Sequence, residues 1–148
     1  MNILAIIPAR GGSKGIPMKN LVKINEVPLL CYSIKHALQC KLIDKVIVST
    51  DSEEIARVSR EAGAEVPFLR PPELAEDYVL DHPVYEHAID YLLKEENYKA
   101  DIVVHLRPTA PYRKAEWLDE SINLLINNKE AHAVRSVSPV RQHPYRMF

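Results

Sequence analysis

A chain of 148 residues, 47% of them hydrophobic, can bury one core, so a single domain is the default. Its 19 basic and 20 acidic side chains leave a net charge of -1, which argues against a general nucleic-acid or membrane surface; any charge-based function is local. No basic stretch precedes the first apolar run, and Pro8 and Arg10 interrupt it, so the opening residues read neither as a signal peptide nor as a membrane span, and the protein reads as cytoplasmic.

In chain order, short Ile- and Val-rich runs alternate with longer segments of helical periodicity. The runs "NILAII", "KVIVST", "AEVPFL", "DIVVHL" and "HAVRSV" are apolar nearly throughout, as strands covered on both faces must be. Between them lie "PLLCYSIKHALQC", "SEEIARVSREAG", "HPVYEHAIDYLLKEEN" and "AEWLDESINLLINN", each with apolar residues at helical spacing. The expectation is an α/β fold: a Rossmann-like, mostly parallel open sheet of five strands with helices on both faces.

Local signals refine these elements. Cys31 and Cys40, nine positions apart on the first helix, fall on opposite sides at about 100° per residue and read as core or half-buried thiols. Asp51 is placed to cap the second helix with Glu54 completing a capping box, and Gly63 to end it. Asp81 precedes a helix with Pro83 in its first turn, which suits an N-cap. His82 and His87 lie about 140° apart on that helix and cannot chelate together, and His132 and His143 flank the last run. Trp117, Ile122, Leu124 and Leu125 read as a packing stripe on the fourth helix.

The chemistry gathers in "IPARGGSKGIPMKN", the loop leaving the first strand. An open parallel sheet binds its ligands beyond the carboxyl ends of its strands, which is where this loop begins. Gly11, Gly12 and Gly15 let backbone amides approach an anion, and Arg10, Lys14 and Lys19 supply charge, so a polyphosphate is the natural guest. No Gly-Lys-Ser/Thr completes a Walker A loop, and no G-x-G-x-x-G suggests a dinucleotide fingerprint. The bland alternative is a basic surface turn.

The whole string resembles the N-terminal signature of the acylneuraminate cytidylyltransferase family, which makes CMP-activated sialic acids and related nonulosonic acids. The resemblance continues through "STDSEEIA", "RPPELAED" and "LRPTAPYR" and spans essentially the whole chain. It implies a fold of the nucleotide-diphospho-sugar transferase type and CTP as substrate. Ala9, Arg10, Gly11, Gly12, Ser13, Lys14, Lys19 and Asn20 match the loop that wraps the triphosphate, with Arg10 and Lys19 as catalytic residues. Arg70 and Asp77 match a second loop over the nucleotide, and Thr109 lies in a third that lines the sugar side.

The implied reaction is attack of a sugar hydroxyl on the α-phosphorus with loss of pyrophosphate, which needs cations and amides on the phosphoryl oxygens. Mg²⁺ is expected to share that task, but the sequence has no D-x-D to hold it. Family members are longer, so residues 1–148 read as the nucleotide-binding domain without its C-terminal part, and a homodimer is expected.

Two departures concern the second substrate, an acidic nine-carbon sugar. Arg107 stands where many sialic acid enzymes have glutamine, and Asp81 lies near a position where relatives carry serine, so both are candidate sugar-binding residues bearing opposite charges. Readings of other classes stay open: a sugar-phosphate nucleotidyltransferase using another NTP, or a catalytically inactive nucleotide-binding or oligomerisation subunit.

Overall fold

The computed structural model describes residues 1–139. β1 (Ile3–Pro8) leads into a loop with a 3₁₀ turn at Lys19–Leu21, then into a small antiparallel hairpin of β2 (Lys23–Ile24) and β3 (Val27–Pro28). α1 (Leu29–Gln39), β4 (Lys45–Ser49) and α2 (Glu53–Glu61) follow. After a 3₁₀ turn at Pro72–Leu74 come α3 (Asp81–Glu96), β5 (Ile102–His105) and α4 (Glu116–Asn127). The hairpin went unread in the sequence; Asn25 and Glu26 both take positive φ, as a two-residue type I′ turn requires.

The sheet is parallel, in the order β4-β1-β5, with Ala5 opposite Val46 on one side and Val104 on the other. Strand β1 is the centre and alternates its burden. Ile3, Ala5 and Ile7 pack into a core with Leu30 and Ile34 of α1, Ile55 of α2, and Leu118 and Ile122 of α4. Leu4 and Ile6 pack on the opposite face with Ala88 and Leu92 of α3. All five are buried, so the unbroken apolar run is explained by cover on both faces.

Chain direction across the sheet reverses at β1: one crossover runs to β4, and the next returns past β1 to β5. Right-handed connections then put α1 and α3 on opposite faces and open a crevice beyond the carboxyl ends of β1 and β5.

Several expectations are corrected. The run "AEVPFL" contributes only isolated parallel bridges, Ile47 to Glu65 and Thr50 to Leu69, and "HAVRSV" forms no strand among the described residues, so the sheet has three full strands there. The N-cap of α2 is Ser52, whose Oγ accepts from the Ile55 amide; the box with Glu54 does not form, because Asp51 turns elsewhere. Asp81 is the first residue of α3 and caps nothing; the cap position is Leu80. On α4 the buried residues are Leu118 and Ile122, four apart, whereas Trp117 and Leu124 are exposed. Gly63 does end α2, with φ of 95°. Cys31 is half-buried and Cys40 buried, both as free thiols. His143 lies outside the described residues.

Candidate active site

Pro8 ends β1, and the next residues are bound to β4 rather than left loose. The Ala9 amide donates to the Ser49 carbonyl at 2.9 Å, and the Gly11 amide to Asp51 Oδ1 at 2.8 Å. Asn20, buried, donates from Nδ2 to the Arg10 carbonyl at 2.9 Å, closing the loop on itself. Ser13 and Lys19 spend their amides on the Gly11 and Ile16 carbonyls. With these amides committed, side chains carry much of the loop's capacity for an anion.

Arg10 and Lys14 converge on one carboxylate. Arg10 Nη2 lies 2.5 Å from Asp77 Oδ1, Lys14 Nζ bonds Asp77 Oδ2, and Arg10 Nη1 donates to the Ala75 carbonyl at 3.2 Å. The second loop is thereby folded over the first. Lys14, then Arg10, hold the Asp77 carboxyl below its ordinary value. Lys19, half-buried, makes no ion pair among the described residues.

Arg70 is 5% exposed, and its guanidinium is held by Ser49, from Nε to Oγ at 3.0 Å and from Nη2 to the carbonyl at 2.5 Å. Burial pulls its pKa down, opposed chiefly by nearby Asp51. No carboxylate lies within ion-pairing distance among the described residues, so an incoming anion would meet a desolvated cation already fixed in place.

On the third loop Arg107 donates to Asp81 Oδ2, while His105 Nε2 stands 3.8 Å from the same oxygen. The Asp81 bond raises the Arg107 pKa; burial lowers that of His105. The loop is held from behind, because Ser33 Oγ and Arg113 Nη2 both donate to the Arg107 carbonyl at 3.3 Å. Tyr85, its ring tilted against His105 at 4.6 Å, has a buried hydroxyl with no partner among the described residues, and its pKa is pushed up by burial.

These three loops enclose a cleft of about 320 Å³ at the crevice beyond β1 and β5. Of the residues expected at the triphosphate, Arg10, Ser13, Lys19 and Asn20 line it, as do Arg70 and Asp77. The sugar candidates Asp81, Arg107 and Thr109 line it too. Gly12 and Lys14 line a neighbouring cavity that shares Ser13, Arg70 and Asp77 with the first, so the ion pairs of Asp77 stand between the two. Ala9 and Gly11 line neither; Ala9 is wholly buried and Gly11 is tied to Asp51.

Sequence reasoning missed Asp51, Ser49 and Arg113 as supports. Asp51 was legible only as a cap because its partner lies 40 positions away. Among the described residues no three His, Cys, Asp or Glu side chains converge to hold a metal, and Asp51, Asp77 and Asp81 are each committed to an N–H donor or a cation. The Mg²⁺ expected from the resemblance therefore finds no ready protein ligand set among the described residues. No described helix is long and apolar enough to cross a membrane.

A three-stranded parallel core with a cation-rich loop at the topological switch defines an open-sheet α/β domain. Comparison with known proteins makes this specific: a model of the Cytidylyltransferase family matches residues 4–146, and the chain belongs to that family. It is 40% identical over 129 residues to a pseudaminic acid cytidylyltransferase of Campylobacter jejuni, covering 87% of this chain and 55% of that protein. It is also 40% identical over 146 residues to a CMP-N,N'-diacetyllegionaminic acid synthase of Legionella pneumophila, covering 97% and 61%. The chain thus spans little more than half the length of these relatives. In fold it is similar to a CMP:2-keto-3-deoxy-manno-octonic acid synthetase solved with CTP, at a TM-score of 0.71 and 19% identity, over 87% of this chain and 49% of that one.

Proposed function

We propose that this chain is the nucleotide-binding part of an enzyme that transfers CMP from CTP to a nonulosonic acid, releasing pyrophosphate. The observation that carries the reading is that one cleft is lined both by Arg10, Lys19 and buried Arg70 and by Asp81, Arg107 and Thr109. Similarity to relatives named for pseudaminic and legionaminic acids supports the sugar class.

In this reading the triphosphate lies along the first loop, displacing Asp77 from Arg10 and Lys14 and taking both cations. The sugar hydroxyl forms a new bond to the α-phosphorus as the bond to the pyrophosphate oxygen breaks, and the hydroxyl proton passes to a basic group or to solvent. Arg10 and Lys19 meet the negative charge that grows on the phosphoryl oxygens and the leaving group. Arg107, neutralised by Asp81, presents a paired rather than a bare charge to the sugar.

Isothermal titration with CTP, UTP and GTP tests the base, and turnover with nonulosonic acids tests the reaction. CTP is expected to bind best, and Arg10→Ala to weaken it by about 1.5–3 kcal/mol, the range for a hydrogen bond to a charged group. Equal affinity for all three nucleotides would favour another NTP-dependent transferase, and CTP binding without turnover a non-catalytic subunit.

A further inference from the structure

Asp51 is the carboxylate in this region that faces a backbone amide of the loop instead of a cation. Its Oδ1 accepts from the Gly11 N–H at 2.8 Å, bridging the exit of β4 to the exit of β1. The backbone also approaches the start of α2 closely here. A Cβ on Gly11 would stand 3.1 Å from Ser52 Cβ, whereas one on Gly12 or Gly15 would meet nothing within 4 Å. So the hydrogen bond fastens the loop at the residue after Arg10, and the close approach leaves little room for a side chain there.

On the other side, Asn20 holds the Arg10 carbonyl. Arg10 is therefore gripped through its own carbonyl and through the next amide, with residues 12–18 spanning the two clamps. A glycine-rich loop loses much conformational entropy when it orders around a ligand, and an anchor made in advance removes part of that cost.

We propose that Asp51 is a positioning residue that clamps the phosphate loop at Gly11 and so holds Arg10 ready for a polyphosphate. This rests on the reading of the cleft as a triphosphate site. Asp51 acts through the hydrogen bond rather than as a counter-charge for Arg70, which lies near it but is bonded to Ser49.

Inorganic tripolyphosphate is the probe, because it reports the loop without the base. Asp51→Ala is expected to bind it about tenfold more weakly than the parent chain and to speed exchange of the Gly11 amide. Asp51→Asn keeps an acceptor oxygen and is expected to restore both to within about threefold. Gly11→Ala, whose Cβ would crowd Ser52 at 3.1 Å, should weaken binding in the same direction as Asp51→Ala.

Thermal melts accompany each measurement, and affinity is read well below the transition. A residue that only supports the fold would lower the melting temperature and leave affinity unchanged, which overturns the proposal. So does an Asn variant as weak as the Ala variant, since that result assigns Asp51 to charge balance. A parent chain that binds tripolyphosphate but does not prefer CTP overturns the reading of the function and leaves the clamp standing; one that binds no tripolyphosphate overturns both.

Discussion

Arg10 and Lys14, read from the sequence as cations for a phosphate, are both occupied by Asp77. Because the folded carboxyl is held below its ordinary value of 3.8, the contribution of these pairs is complete above that value and is lost as pH falls through the depressed one. In carbon-detected NMR the Asp77 carboxyl should titrate below 3.8 in the empty protein and move back toward it once tripolyphosphate is added. An unchanged titration on saturation would mean that the anion does not take its partners. Asp81 and Arg107 do meet, as their opposite charges suggested, but in the open: their side chains are 38% and 64% exposed. The coupling in a double-mutant cycle with Asp81→Ser and Arg107→Gln should therefore be about 0.5–1 kcal/mol, the size for a solvent-screened pair, rather than the several kcal/mol of a shielded one. Thermal or urea melts of the four proteins give the number, and strict additivity would show that the pair does not act as a unit.

At the scale of elements, turn and cap chemistry was readable where the partners are near in sequence. Gly63 ends α2 in a Schellman arrangement: its amide donates to the Arg60 carbonyl, and the Ala64 amide to Ser59, both at 3.0 Å. Its φ of 95° is costly for any residue with a Cβ, and a Cβ there would also stand 3.1 Å from Leu38 Cδ1 of α1. Gly63→Ala should cost about 1–2 kcal/mol in urea unfolding. A neutral result would mean that the turn relaxes without loss. The cap at the other end was misassigned by one residue. Asp51 and Ser52 are both good capping residues, and local sequence cannot say which is called away to a loop 40 positions distant. Asp81 falls one residue inside α3, past the cap position, and its carboxylate meets a partner 26 positions away.

For the molecule as a whole, the alternation of apolar runs and helical periodicity determined the α/β class, because a strand covered on both faces has to be apolar throughout and a helix covered on one face has to be striped. The first loop's chemistry was likewise legible, since glycines and cations after a strand need no distant context to suggest an anion. Strand order was not. That β1 is central, with β4 and β5 on either side, depends on pairings between residues tens of positions apart, and only those pairings bring Arg70 and Arg107 to the same crevice as Arg10. The apolar stretch of residues 64–69 could pass for a strand by composition, yet it makes only two isolated bridges beside β4. The sequence by itself determined which segments are apolar, where Gly63 ends a helix and where charge collects, because these follow from short-range sterics and solvation. Tertiary structure alone decided which carboxylate clamps the loop, which one occupies its cations and which one faces Arg107, because a carboxylate takes whatever donor the fold brings within about 3 Å of it.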